Sequence, residues 1–208
     1  DGMLKTYELT TRHFGWDKLP KAATETERTA YLLDRGLRAQ GIVSVDSVCH
    51  LDAPSKSNVR RLIAARQRRG ELVPVALDGS GKQEHWAEPA ALDGLKQIDA
   101  NRVHILSPFD PLIIQRKRTQ LFFDYIHIFE AYVPKEKRLF GYFALPVLVG
   151  DEIVAALDLK TDRQRRKVLM QKWNWVGQGK IAKGEARKAL KRRIEDELHR
   201  FERFQLGD

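Results

Sequence analysis

The residues most suited to chemistry in this sequence are three consecutive cations, Arg116, Lys117 and Arg118. They follow closely on the proline-rich segment Ser107-Pro-Phe-Asp-Pro111. Each proline fixes its own φ and lacks a backbone donor, so this segment cannot extend a helix or lie inside a central strand. The turn therefore holds the cations at a defined point, where guanidinium and ammonium groups can bind phosphate oxygens.

A second group of cations is predicted at the tip of a hairpin, between two β-rich runs. It consists of Lys135, Lys137 and Arg138. The aromatic residues that flank it are Tyr132, Phe140 and Tyr142. A cationic tip can enter a groove of DNA while nearby rings wedge or stack. The alternative is that the rings belong to the core and the cations only keep a turn soluble.

A third group lies on segment 55–70, which carries six basic residues and no acidic residue. A helix is predicted here, capped by Ser55, with an apolar stripe formed by Val59, Leu62 and Ile63. The residues of this helix predicted to contact DNA are Asn58, Arg60 and Arg61. The alternative is an ordinary solvated helix face.

The charge of the chain is uneven. Its formal net charge is +9, and residues 101–208 carry 22 Lys and Arg against 14 Asp and Glu. Residues 1–100 carry 15 against 14. A basic excess concentrated in one half indicates a polyanionic partner such as nucleic acid, although a solubilising surface would have the same composition.

The sequence shows no constellation that would catalyse a reaction or bind a metal or cofactor. Its six histidines include no pair at i, i+4, and no glycine-rich phosphate loop is present in a strand–turn–helix context. The single cysteine, Cys49, excludes an internal disulfide and fits a buried residue in a reducing compartment. No apolar run approaches the roughly 20 residues of a membrane span, so no membrane association is expected. From the single cysteine, a cytoplasmic, nucleoid-associated location is predicted.

The fold class predicted is α+β, beginning with a winged helix-turn-helix domain over residues 1–98. Thr24 or Thr26 is predicted to cap a first helix that Gly41 ends. Ser44 is predicted to cap a second helix, Val45–Leu51, which precedes the helix of segment 55–70. Two extended runs around Asp78-Gly79 predict a hairpin.

Residues 99–208 are predicted to form a small antiparallel β-barrel or curled sheet with a C-terminal helix. The predicted strands are Tyr125–Val133, Leu139–Val149, Ile153–Leu159 and Trp173–Val176. The helix is predicted over Glu185–Phe204.

An ordered series of motifs runs through residues 106–160. In chain order these are Leu106-Ser-Pro-Phe-Asp-Pro-Leu112, Arg116-Lys-Arg118, Leu121-Phe-Phe-Asp-Tyr125, Gly141-Tyr-Phe143, Leu145-Pro-Val-Leu148 and Asp158-Leu-Lys160. The series resembles that of the AlkZ/YcaQ-like winged-helix DNA glycosylases. The upstream segment Tyr7-Glu8-Leu9-Thr10 is similar to the element that precedes the last winged helix of that family.

The resemblance implies tandem winged helices and a β-barrel around a basic surface, with DNA contacts from the cations of residues 116–118 and 135–138. It also implies a catalytic triplet, Gln-hydrophobic-Gln or Gln-hydrophobic-Asp, in the first winged helix. The triplet Gln97-Ile98-Asp99 lies in the predicted linker and does not match that context. The expectation is therefore the C-terminal, DNA-binding portion of a repair glycosylase for alkylated or cross-linked bases, monomeric on double-stranded DNA and not catalytic by itself.

Two other functions remain open from the sequence. A winged-helix transcription regulator would use Asn58 and Arg61 to select a base sequence. A protein-interaction module would use the wing and the barrel as assembly surfaces.

Overall fold

The computed structural model describes residues 5–93, 99–177 and 184–207. It has mixed α and β structure with two antiparallel sheets and a C-terminal helix. The α+β class is therefore confirmed.

Most of the helices lie in the first half of the chain. The elements there are α1 (Thr10–Phe14), α2 (Glu25–Gln40), β1 (Ile42–Val43), α3 (Val45–Val48), a 3₁₀ turn (Ala53–Ser55), α4 (Lys56–Arg68), β2 (Val73–Val75), β3 (His85–Ala87) and α5 (Pro89–Asp93).

Capping side chains set the starts of α2 and α3. The Thr24 hydroxyl accepts the backbone N–H of Glu27, whose carboxylate accepts the N–H of Thr24 in return. Ser44 and Ser47 form the equivalent pair of bonds at α3. Both predicted caps are confirmed, but α3 ends at Val48 instead of continuing to Leu51.

One prediction about α4 is wrong, namely that Ser55 caps it. The Ser55 hydroxyl is buried and donates to Asp52 Oδ2 at 2.9 Å, while it accepts from Arg28 at 3.0 Å. Its side chain makes no hydrogen bond to the helix backbone. The predicted apolar stripe is confirmed, because Val59 and Ile63 are fully buried and Leu62 packs beside them.

The first sheet has the strand order β1-β3-β2. Strands β2 and β3 form the predicted hairpin, with Val75 paired to His85. The short strand β1 pairs with the other edge of β3, where Val43 lies opposite Trp86. This pairing places the sheet against α2–α4, and Trp86 shares one apolar cluster with Leu33, Val59 and Ile63.

The second half of the chain contains most of the strand residues. Its elements are β4 (Val103–Ile105), α6 (Arg116–Phe123), a 3₁₀ turn (Lys135–Lys137), β5 (Ala144–Val149), β6 (Glu152–Asp162), β7 (Lys167–Trp175) and α7 (Glu185–Leu206). The predicted C-terminal helix is confirmed. Neither α7, at 22 residues, nor another described helix has an apolar stretch long enough to cross a membrane.

Of the two alternatives predicted for residues 99–208, a β-barrel or a curled antiparallel sheet, the closed barrel is wrong for the part of the chain that the structure describes, and an antiparallel sheet is found. Strands β4-β5-β6-β7 form an open four-stranded sheet. The predicted strand Tyr125–Val133 would have extended it, but those residues form no strand. Closure is also unnecessary, because α7 covers one face of the sheet with Leu190 and Ile194.

The other face of the sheet is covered by the segment that follows the proline turn. All six residues of β5 are buried. Val147 and Val149 lie in the cluster with α7, whereas Leu148 lies in a separate cluster with Ile113, Tyr125 and Ile153. This alternation is that of a strand covered on both faces, and it anchors the chain just before α6.

The predicted hairpin around Lys135 is also wrong, and the reason is a buried carboxylate. Both oxygens of Glu130 accept backbone N–H groups, from Leu139 and Phe140 at 2.6 Å and from Gly141 at 3.1 Å. Those three donors are therefore not available to a strand ladder. Residues 124–143 form a loop that contains only the 3₁₀ turn.

Gly141→Ala is expected to destabilise the protein by about 2–4 kcal/mol. Gly141 has φ +139, and a Cβ there would overlap the side chain of Asp158. That side chain cannot easily move, because it accepts the N–H groups of Tyr142 and Phe143. Urea unfolding measures the change.

The matched control for this substitution is Gly81→Ala. Gly81 has φ +62, and no atom of the described residues lies within 4 Å of the added Cβ, so this variant isolates the cost of the backbone conformation, about 1 kcal/mol. Equal losses in the two variants would contradict the proposed overlap with Asp158.

Candidate nucleic-acid interface

The proline turn is held by its own polar side chains. Asp110 Oδ1 accepts the N–H of Leu112 at 2.9 Å, and the Ser107 hydroxyl accepts the N–H of Phe109 at 3.2 Å. The next residue, Ile113, is fully buried under the second sheet. The turn and this anchor fix the direction in which the chain enters α6.

The three cations that follow the turn form the first turn of α6. That turn contains no acidic residue, and Gln115 at the N-cap provides no side-chain cap. Cations at the positive end of a helix dipole destabilise the helix and concentrate positive potential there. The arrangement is unfavourable for the helix alone and favourable for an anion beside it.

Two side chains tie α6 to the first half of the chain. Gln115 donates to the backbone oxygen of Ser47 at 2.9 Å, and Arg118 donates to that of Gln40 at 3.1 Å. The Arg118 guanidinium also lies 4.4 Å from the ring centroid of Phe122, and burial lowers its pKa. Arg118 is thus largely a structural link, whereas Arg116 and Lys117 remain exposed.

A cleft of about 1120 Å³ separates α6 from α3, the start of α4 and the β2–β3 turn. We call it the cationic cleft. The cations that line it are Lys56, Arg60, Lys82, Arg116, Lys117 and Arg118. The carboxylates that line it are Asp46, Asp52 and Glu84. Cations from both halves of the chain therefore meet in one concave surface.

Two of the three carboxylates that line the cationic cleft form ion pairs, one with the lining cation Lys56 and one with Arg28, which lies outside the lining. Asp46 forms an ion pair with Lys56 at 2.7 Å, and Asp52 with Arg28 at 2.6 Å. Within residues 5–93, 99–177 and 184–207, no ion-pair partner is found for Arg60, Arg116 or Lys117. These three cations, together with the exposed Lys82, are available to an external anion.

The structure brings together only some of the residues predicted to bind DNA. Arg60 and the triplet 116–118 line the cationic cleft. Asn58 and Arg61 do not line it; Asn58 donates to Glu25 at 3.0 Å and accepts a hydrogen bond from Arg61.

The cations of residues 135–138 also lie outside the lining of the cationic cleft. Lys135 and Lys137 are exposed on the 3₁₀ turn. Arg138 is tied into its own loop, donating to the Val133 oxygen at 2.7 Å and lying 5.0 Å from the Tyr142 ring centroid. Of this group, the two lysines are the freer cations.

Sequence reasoning missed Lys82 and underrated Lys56. Lys82 lies in the turn between β2 and β3, and a lone lysine in a hairpin turn carries no signal of its own. Its place in the cleft depends on α6 lying opposite, which no local pattern encodes.

Two other titratable groups, the thiol of Cys49 and the imidazole of His127, are held in their uncharged forms by burial. Burial raises the pKa of the Cys49 thiol, so it is a poor nucleophile. Burial also lowers the pKa of His127 to about 4, with Arg116 adding to the effect, so this imidazole is neutral. Among the described residues, no three His, Cys, Asp or Glu side chains are placed to hold a metal ion.

A second cleft, of about 560 Å³, lies beside α7 and is electrically balanced. Its arginines are Arg102, Arg193 and Arg200. Its carboxylates are Asp99, Asp196 and Glu197. Asp99 is the last residue of the Gln-Ile-Asp triplet, whose other two residues lie outside the described ranges. Such balance gives no preference for phosphate.

The comparison with known proteins is consistent with the basic character of the cationic cleft. A protein-family model described as "DNA glycosylase AlkZ-like" matches residues 1–204, nearly the whole chain. No solved structure matches the chain.

Proposed function

Because the chain belongs to the AlkZ-like DNA glycosylase family, whose role is DNA repair, we propose that its cationic cleft binds the phosphate backbone of double-stranded DNA. The observation that carries this proposal is the meeting of Arg60, Arg116 and Lys117 in one cleft without ion-pair partners among the described residues. Phosphate contacts of this kind supply most of the affinity of a protein for DNA in general.

The first part of the chain, residues 1–98, acts in this proposal as a winged helix, and residues 99–208 as a second domain. Three helices followed by an antiparallel hairpin support the first assignment. The separate apolar clusters of the two parts support the boundary.

The chemical step of the glycosylase lies outside this chain in our proposal. The chain holds the duplex of a repair enzyme for alkylated or cross-linked bases, and a catalytic Gln-hydrophobic-Gln or Gln-hydrophobic-Asp triplet belongs to another segment. We therefore expect the 208-residue chain to bind duplex DNA and to leave alkylated bases in place. Release of a base from an alkylated duplex by this chain would overturn this part of the proposal.

Fluorescence anisotropy with a labelled duplex, titrated at several salt concentrations, tests the binding. Three phosphate contacts, from Arg60, Arg116 and Lys117, predict that log Kd rises with log[salt] with a slope of about 2.7. A signal that stays flat at low ionic strength would overturn the proposal.

The same titration separates the two alternative functions. A regulator would bind one sequence far more tightly than random duplexes, whereas the proposed role requires similar affinities. An interaction module would show little salt dependence and would self-associate, whereas we expect a monomer by light scattering.

A further inference from the structure

Leu51 is the most exposed large apolar side chain in the cationic cleft. It is 94% exposed and lies in the turn between α3 and α4. Its backbone has φ +62, in the left-handed region. Among the described non-glycine residues, only Asp124 and Arg166 also have positive φ, and neither is apolar.

Among the described residues, no packing contact buries Leu51 and so stabilises a leucine at this position. Glycine adopts a positive φ freely and asparagine tolerates it, but a leucine Cβ crowds the following carbonyl. An exposed side chain gains no burial in return. Backbone strain of this kind persists mostly where function uses it.

The surroundings of Leu51 indicate what it could meet. Arg60 lines the same cleft from α4, and Arg116 and Lys117 line it from α6. An apolar side chain among free cations will lie next to a polyanion whenever the cleft is occupied. The largest apolar surfaces that duplex DNA offers such a side chain are the stacked faces of its base pairs, which exceed the thymine methyl groups of the major groove.

We propose that Leu51 is a wedge that inserts between base pairs of the duplex held in the cationic cleft. This inference rests on the proposed function, because the cations must first bring the duplex to the cleft. Leucine is one of the side chains that proteins insert at a base step to unstack it and kink the duplex.

The wedge would serve base extrusion. An enzyme that acts on a base must take it out of the stack, and the cost of unstacking is lowest at a mismatch or lesion. A side chain that inserts at the base step replaces part of the lost stacking and so offsets part of that free-energy cost. The chain should therefore prefer a duplex with one mismatched pair over the matched duplex by about tenfold, since tenfold corresponds to 1.4 kcal/mol of saved unstacking.

The test compares wild type with Leu51→Asn on duplexes containing 2-aminopurine, whose fluorescence rises when it unstacks. Wild type should raise the fluorescence and show the mismatch preference. Leu51→Asn should lose most of the rise and bring the preference close to one, while its Kd for the matched duplex changes less than about threefold because the phosphate contacts remain. Leu51→Phe should retain the rise.

The control variant is Leu19→Asn, which changes an exposed leucine outside the cleft and should behave as wild type. Asparagine tolerates the backbone of residue 51, so Leu51→Asn should fold, which circular dichroism verifies. An equal fluorescence rise in wild type and Leu51→Asn would overturn the wedge. Salt-dependent binding by wild type with no rise would also overturn it while leaving the proposed function intact. Absence of binding at low salt would overturn the proposed function itself.

Discussion

Glu130→Ala is expected to lower the free energy of unfolding by about 3–5 kcal/mol, because three backbone donors lose a charged acceptor. The carboxylate of Glu130 is buried and accepts the N–H groups of Leu139, Phe140 and Gly141. No other acceptor for these three donors is found in the described part of the chain. Urea unfolding at pH 7 measures the loss.

The same carboxylate makes stability depend on pH. Burial by itself would raise the pKa of Glu130, but the N–H groups of Leu139, Phe140 and Gly141 outweigh it and hold the pKa below its usual 4.5. A group with a lowered folded-state pKa stabilises the protein fully above its unfolded-state pKa, and that contribution is lost as the pH falls through the folded-state pKa. The stability difference between wild type and Glu130→Ala should therefore be constant from pH 7 to about 5 and shrink below about 4.5.

Glu136→Ala is the matched control, since Glu136 is an exposed glutamate on the 3₁₀ turn of the same loop. Its loss should stay within about 0.5 kcal/mol at pH 7. Similar losses in the two variants would mean that the loop is not organised by Glu130.

Local sequence signals were sufficient to predict the helices whose starts and buried faces depend on residues close together in the sequence. Thr24 and Ser44 mark helix starts by side-chain capping, and the apolar spacing along α4 and α7 identifies the buried faces. Helix α6 escaped prediction because it begins without a side-chain cap and with cations at its positive end. Its start is set by the buried Ile113 and the link from Gln115 to Ser47, which are tertiary contacts.

The segment 125–133 shows the opposite error. Its aromatic and β-branched residues are typical of a strand, and the strand prediction was wrong. Tyr125 packs under the second sheet, while Glu130 takes the donors that a hairpin partner would need. Both contacts join positions distant enough in sequence that no period of two or 3.6 reveals them.

For the interface, the sequence predicted the kind of partner, DNA, better than it predicted which residues lie together in the cleft. The resemblance to the AlkZ/YcaQ-like glycosylases is confirmed by the family match, and Arg60, Arg116 and Lys117 lie together in the cationic cleft. Asn58 and Arg61 lie outside the lining of the cleft, where Asn58 donates to Glu25 and accepts from Arg61. The positive φ of Leu51 could not be predicted from the sequence, because no local pattern indicates a left-handed backbone conformation at a leucine. That all these cations contact DNA stays a prediction.

The double variant Arg116→Glu/Lys117→Glu is expected to weaken duplex binding by about 100-fold at about 0.15 M salt. Both residues are exposed at the start of α6, and no ion-pair partner is found for either among the described residues. Reversing the charge of both residues removes two phosphate contacts and places two carboxylates next to the DNA phosphates. Anisotropy should also show the salt slope falling by about 1.8, because each lost contact removes about 0.9. Acidic side chains at a helix start are favourable, so the variant should fold.

The control Lys18→Glu/Lys21→Glu separates a local effect from a general one. It changes the net charge by the same amount, but both lysines are exposed and lie outside the cationic cleft. Long-range attraction acts over a Debye length of about 10 Å at 0.1 M salt, so the control should lose only a few-fold and only at low salt. The loss of direct phosphate contacts, by contrast, lowers the slope of log Kd against log[salt] over the whole salt range tested. If the two double variants were equally impaired, the affinity would come from net charge alone, and the convergence of cations in the cleft would have no role in binding.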